Sequence, residues 1–143
     1  MTSSSLRAVP DASAVLAFVF DEQGAHAVEQ LLPVSAIGTD NLTEVLVRCH
    51  ARGYQRTGQE LAADLQALGL QVVNGTTADQ AARAAELVHL SKLEKDKHNG
   101  RTLARGDGQA LALAERLGLP VVTGDTLWTE LQHLVQVQIA LFR

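Results

Sequence analysis

Five short apolar runs, at 6–9, 35–39, 70–73, 119–123 and 135–141, alternate with stretches whose apolar residues recur at helical spacing. That alternation limits the fold more than any other feature. Strands joined by helical connections pair in parallel, and the crossing helices cover the sheet on both faces. The chain is therefore expected to be α/β, with a mainly parallel central sheet flanked by helices. In such a sheet functional groups gather at the C-terminal ends of the strands.

The helices are expected at 12–20, 25–32, 40–52, 58–68, 77–90, 106–117 and 127–134. Punctuation supports several boundaries. Pro33 ends the second helix, and Asp40-Asn41 offers N-cap chemistry to the third, for which Gly53 is a stop. Gly69 separates the fourth helix from a strand, and Gly118 closes the sixth. Residues 91–100 are polar and mixed in charge, with Lys92, Lys95, Lys97 and His98 against Glu94 and Asp96, which reads as a loop. No repeat, low-complexity tract or long linker divides the 143 residues, so 1–143 is expected to form a single domain.

A formal net charge of −4 argues against a protein that holds nucleic acid by a broad basic surface, so any such contact must be local. Aromatic residues are only 3% and scattered, which disfavours a base-stacking platform. The one cysteine, Cys49, rules out an internal disulfide or a thiolate-rich zinc site and reads as a small buried helix residue. The five histidines form no paired zinc motif, and only His98, in the expected loop, is placed to border a site. Residues 1–7 lack the pattern of an export signal, and no run is long enough to cross a bilayer, so a cytoplasmic protein is expected.

Four acids stand where this topology would bring them to one sheet edge. Asp11 follows the first strand, Glu44 lies early in the helix after the second, Asp107 opens a helix, and Asp125 follows a later strand. If they converge, two bare carboxylates about 4 Å apart repel by roughly 4 kcal/mol at an effective dielectric near 20, and protons or cations must relieve them. Oxygen ligands without cysteine suit Mg²⁺, with Mn²⁺ as a substitute. A metal held this way orients a water, lowers its pKa and neutralises charge on a phosphodiester oxygen, which is the chemistry of phosphodiester hydrolysis.

Around these acids stand Pro10-Asp11-Ala12-Ser13-Ala14, Asn41-Leu42-Thr43-Glu44-Val45, the segment Gly106-Asp107-Gly108-Gln109-Ala110 with its Leu/Ala continuation, and Leu119-Pro120-Val121-Val122-Thr123-Gly124-Asp125. In these segments the chain resembles the PIN-domain ribonucleases, and within them the VapC toxins of toxin–antitoxin pairs. The resemblance spans nearly the whole chain in family order. It implies a PIN-like fold and a Mg²⁺-dependent endoribonuclease whose acidic metal site is Asp11, Glu44, Asp107 and Asp125, with Ser13, Asn41 and Thr123 in polar support. It also implies a homodimer and a VapB-like antitoxin that wraps the toxin and obstructs its site. The stretch Ala104-Arg105-Gly106-Asp107 departs from the common Ser-Leu-Gly-Asp form of such chains. Arg105, with Lys97, His98 and Arg101, offers local positive charge to an RNA phosphate.

Each acid also has an ordinary structural reading. Asn41-x-x-Glu44 is close to a capping box, Asp107 sits where a helix dipole favours an acid, and Gly124-Asp125-Thr126 is turn-like. Two other functions compete with the nuclease. One is a PIN scaffold that binds partners without catalysis. The other is a haloacid-dehalogenase-like phosphatase, a poor fit because Ser13 and Thr129 stand where further acids are expected.

Overall fold

The computed structural model describes residues 5–143. Residues 1–4, on which part of the expectation about an export signal rests, lie outside that range. In chain order the elements are β1 (Val9–Pro10), α1 (Ala12–Val19), α2 (Ala25–Leu31), β2 (Ala36–Gly38), α3 (Thr39–Ala51), α4 (Gly58–Ala67), β3 (Gln71–Val73), α5 (Ala78–Leu93), α6 (Arg105–Leu117), β4 (Val121–Thr123), α7 (Thr126–Glu130) and β5 (Ile139–Leu141). Short 3₁₀ turns at Leu32–Val34, Lys95–His98 and Gln132–Leu134 complete them.

Every strand pairing is parallel. β1, β4 and β5 form one ladder in that order, and β2 pairs with β3. A parallel bridge between Ala8 and Ser35 continues one ladder into the other, with Ala36 N donating to Ala8 O at 3.0 Å. The combined order is β3-β2-β1-β4-β5. The chain moves outward from β1 in one direction and returns to build the other side, so the strand order reverses between β1 and β4. A crevice at the C-terminal ends of strands on either side of such a reversal is the usual ligand site of parallel α/β sheets.

The strands are short but fully used, because successive residues point to opposite faces. Ala8 and Val122 pack in one core with Val15, Val28, Ile37, Val45 and Leu61. Their neighbours Val9 and Val121 pack in a second core with Leu87, Leu111, Leu113, Trp128 and Ile139. The first core lies beneath α1 to α4, the second beneath α5 to α7. Each large aliphatic side chain buried this way contributes about 2 kcal/mol. The expectation of a parallel α/β sheet covered on both faces holds.

Several boundaries differ from the expected ones for local reasons. α3 begins at Thr39 with the backbone of Gly38 as its N-cap and no capping side chain, so Asp40-Asn41 does not cap it. The expected loop at 91–100 is instead the end of α5 and a 3₁₀ turn. Its order comes from two anchors: the buried Ser91 hydroxyl donates to Val88 O and accepts from Leu103 N, and His98 lies between Glu94 and Glu130. The last strand covers only the end of 135–141, because the Gln132 side chain bonds Val137 O and Ile139 N, each at 2.8 Å. Gly118 closes α6 as expected, in the left-handed conformation at φ 68°.

α5 and α6 approach closely at Gly108. A methyl group there would lie 2.6 Å from Ala84 O and 2.9 Å from Val88 Cγ2. The carbonyl belongs to a helix and cannot yield freely. Gly108→Ala gains about 1 kcal/mol of helix propensity but incurs about 1–3 kcal/mol of overpacking. The 2.6 Å approach to backbone puts that cost at the upper end, so a net loss of up to about 2 kcal/mol is expected, read as a lowered denaturation midpoint, and an unchanged or raised midpoint would contradict this packing.

Candidate functional site

Asp11 follows β1 and caps α1, its backbone still extended at φ −81° and ψ 178°. Its carboxylate is buried and satisfied on both oxygens. Oδ1 accepts from Ser13 Oγ at 2.7 Å and Ala14 N at 2.9 Å, and Oδ2 accepts from Thr123 Oγ1 at 2.6 Å. Thr123, the last residue of β4, accepts in turn from Asp125 N at 3.1 Å, while Ser13 Oγ accepts from Gly124 N at 3.1 Å. These bonds lace the β1 corner to the β4 corner across the reversal of strand order. Burial raises the Asp11 pKa, the three hydrogen bonds oppose the rise, and nearby Glu44 adds to it.

The opposite wall comes from α3 and α6. Asn41, buried although amide-bearing, donates from Nδ2 to Gly106 O at 2.9 Å and so ties the start of α6 to α3. Asn41 lies inside α3 rather than at its N-cap, and its amide makes this long-range bond instead of a local capping one. Glu44, one turn on, pairs through Oε2 with Arg48 at 2.9 Å. Its Oε1 faces Gly106, where a methyl group would lie only 2.7 Å away. A bare glycine at that point lets the carboxylate reach the start of α6.

Asp107 stands in the first turn of α6, and its Oδ2 accepts from Ala104 N at 2.7 Å. Asp125 caps α7 by accepting from Leu127 N at 2.9 Å. The helix-dipole position of Asp107 and the turn at Asp125 are thus both present, and they coexist with convergence. All four acids line one cavity of about 200 Å³, together with Ser13, Asn41 and Arg48. Thr123 supports it from beneath.

The electrostatics follow from that arrangement. The Asp107 pKa is pushed from 3.8 up to about 6, mainly by burial, against the bond from Ala104 N and with further upward pressure from Asp11, Glu44 and Asp125. The four carboxylates therefore act on one another. Among the described residues, no three His, Cys, Asp or Glu side chains stand ready-made around a point for a metal ion. Helix-end N–H groups and Arg48 draw the carboxylates aside. The donor chemistry nevertheless fits a hard divalent cation: every ligand is oxygen, and a cation would relieve the like-charge pressure on Asp107.

The cations and the histidine singled out in the sequence lie elsewhere. Arg101 donates to Glu130 at 2.7 Å and to His98 O, and Lys97 is exposed on the 3₁₀ turn. His98 is buried with both ring nitrogens on carboxylates, Nδ1 on Glu130 at 3.0 Å and Nε2 on Glu94 at 3.3 Å. Glu130 holds its imidazole above the ordinary pKa, against burial. Arg105, the first residue of α6, borders neighbouring hollows rather than the acidic one. Arg48 was not singled out in the sequence, and Gly106 entered only as part of a motif, yet both line the acidic cavity. The Glu44-to-Arg48 spacing of four on a helix was the available signal for the first.

A parallel sheet covered by helices on both faces, with an acidic cavity at its reversal point, defines the class of protein. The PIN domain family model matches residues 8–134, and the chain belongs to that family. No curated protein matches it. Solved structures with the same fold include a toxin–antitoxin complex from Klebsiella pneumoniae, 22% identical over 83% of this chain and 87% of that one, with a TM-score of 0.62. A DNA-bound VapBC from Salmonella typhimurium is 15% identical, covering 96% and 99% of the two chains, at a TM-score of 0.64. The sarcin–ricin-loop-cleaving toxin VapC20 of Mycobacterium tuberculosis is 18% identical, covering 87% and 94%, at a TM-score of 0.63.

Proposed function

We propose that this chain is a metal-dependent endoribonuclease, hydrolysing phosphodiester bonds in single-stranded or structured RNA, and the toxin of a VapBC-type pair. The observation that carries the reading is the convergence of Asp11, Glu44, Asp107 and Asp125 on one cavity, where burial and the other three acids lift the Asp107 pKa to about 6. A cluster that raises its own member toward neutrality is unfavourable without a counter-charge. Membership of the PIN-domain family supports the same reading.

In this reading Asp11, Glu44, Asp107 and Asp125 hold Mg²⁺ or Mn²⁺. When bound, the ion supplies a water of lowered pKa and offsets charge on the phosphodiester. The chain's own residues provide the rest. Ser13, Thr123 and the α1 backbone fix the Asp11 carboxylate and keep it an acceptor. Asn41 fixes the start of α6, and with it Asp107. Asp107 would have to be ionised to hold the cation, so activity is expected to rise with pH through the region of its pKa. Arg48 holds Glu44 and offers positive charge at the rim.

Residues 1–143 act in this reading as one PIN-like domain in a cytoplasmic homodimer, restrained by a VapB-like antitoxin. The solved relatives support that partner, since they include a toxin–antitoxin complex and a DNA-bound VapBC. No helix among the described residues is long and apolar enough to cross a membrane. The test is to incubate antitoxin-free protein with total cellular RNA in Mg²⁺, in Mn²⁺ and in EDTA, and to map new ends. Discrete cuts with either metal and none in EDTA are expected. A folded, metal-supplied protein that leaves RNA intact would favour the binding-scaffold reading instead.

A further inference from the structure

The largest hollow among those described is not the acidic one. It is a groove of about 460 Å³ on the outer face of α5 and α6, within the size range of roughly 300–1,000 Å³ typical of ligand pockets. Its floor is apolar, built from Ala81, Ala84 and Val88, and its rim carries Lys92, Arg105 and Gln109. Many of the chain's guanidiniums are engaged elsewhere: Arg48 by Glu44, Arg52 by Glu22, Arg83 by Glu115 and Arg101 by Glu130. Lys92 and Arg105 enter no ion pair among the described residues. In a chain of net charge −4, two unengaged cations facing one apolar groove are a local anion-attracting feature.

The groove is also continuous with the acidic cavity. Arg105 and Gln109 line both the groove and a smaller hollow beside it, while Glu44 and Gly106 line both that hollow and the acidic cavity. A surface path thus runs from the four carboxylates over the start of α6 and down between α5 and α6. Its chemistry changes along the way, from acids suited to a cation to an apolar floor edged by cations. A nucleotide chain has the matching sequence of groups: a phosphodiester at the acids, then a base against the floor, with neighbouring phosphates at the rim.

We propose that the α5/α6 groove is a binding subsite for single-stranded RNA beside the scissile phosphate, with a base against Ala81, Ala84 and Val88 and phosphates at Lys92 and Arg105. The proposal rests on the nuclease reading. It moves the RNA contacts from Lys97 and Arg101 to Lys92, with Arg105 as the hinge of the path. Gln109 at the groove edge gives its Nε2 to Asp40 Oδ2 at 3.0 Å, which leaves its Oε1 to accept from the base.

The test uses full-length Asp11→Asn protein, so that RNA is bound and not cut, with a fluorescein-labelled single-stranded RNA of about a dozen random nucleotides. Anisotropy titrations across a salt series compare it with the same chain carrying Lys92→Ala and Arg105→Ala, and with one carrying Ala85→Glu, an exposed groove position. Loss of two phosphate contacts is expected to weaken binding about tenfold at low salt and to make the log–log salt slope about 1.4 shallower, at 0.7 per contact on a single strand. Ala85→Glu is expected to weaken binding without changing fold or oligomeric state by circular dichroism and light scattering. Unchanged affinity and slope in the double variant would overturn the groove while leaving cleavage by the unmutated chain to stand. An altered oligomeric state with unchanged RNA affinity in Ala85→Glu would assign the groove to protein contact and overturn it as well. If the parent binds no RNA and the unmutated chain cuts none, the nuclease reading fails and the subsite fails with it.

Discussion

Asp107→Asn is expected to stop RNA cleavage and, at neutral pH, to make the fold more stable. The two effects share a cause. In the folded chain the carboxyl pKa is raised from 3.8 to about 6, so the native state binds its proton more tightly than the unfolded state does. That contribution is fully present below the unfolded value and is lost as pH rises through the folded one. Above pH 6 the ionised side chain sits among three other acids at a net disadvantage. Two pKa units correspond to roughly 3 kcal/mol, and partial exposure to solvent reduces this to about 1–2 kcal/mol.

Asparagine keeps an acceptor for Ala104 N and removes the charge. A rise in Tm of about 3–8 °C at pH 7 follows, shrinking to nothing below about pH 4. Mg²⁺ is expected to stabilise the unmutated chain and to narrow this gap, since a ligand that binds only the folded state raises its stability. Cleavage falls by at least about 10–100-fold, the range for losing even an outer partner of a metal site, since the cation would lose one of its four carboxylates. Thermal melts at pH 4 and pH 7, with and without Mg²⁺, check the result. A variant equally or less stable at pH 7 would show that the acids do not burden one another.

Asp11→Asn is expected to be inactive to a similar degree, but with stability within about 1 kcal/mol of the original chain. Asparagine is as good an N-cap as aspartate, and its carbonyl continues to accept from Ser13 and Ala14 N. Its amide then faces Thr123 Oγ1, whose proton must turn elsewhere, and relief of a buried charge offsets that loss. Asp11→Ala is different. It leaves three donors without their acceptor, including a fully buried threonine hydroxyl, and removes the cap of α1. A loss of about 2–4 kcal/mol is expected in chemical denaturation. Cleavage retained by Asp11→Asn would remove Asp11 from the proposed site, whatever the stability results.

The periodicity of the chain was enough to place nearly every helix and the parallel sheet, because the glycine and proline stops are local signals. Strand limits were harder to read, since two- and three-residue strands are too short to display a period. The start of α3 and the role of Asn41 were hidden for another reason: the partner of the Asn41 amide is 65 residues away at Gly106, beyond any local pattern. The 91–100 stretch looked like a loop because its composition is polar, yet its polar groups bond to one another and to Glu130. Of the candidate site, the convergence of the four acids was legible by position. The web of Ser13, Thr123 and Gly124 that joins two strand ends, and Arg48 at the rim, required the fold to bring them together.

The start of α6 is held from two sides, by the Asn41 amide on Gly106 and by the seating of Gly108 against Ala84. Leu103 is separately pinned to Ser91. The stretch from Asn99 to Thr102 is thereby relieved of any duty to aim Asp107. It is a turn with Asn99 and Gly100 both at positive φ. Surface connections of this kind accept insertions with little loss of stability. Length and sequence can diverge there between otherwise similar chains while the acidic cavity keeps its shape, so the molecule can vary its outline without retooling its chemistry.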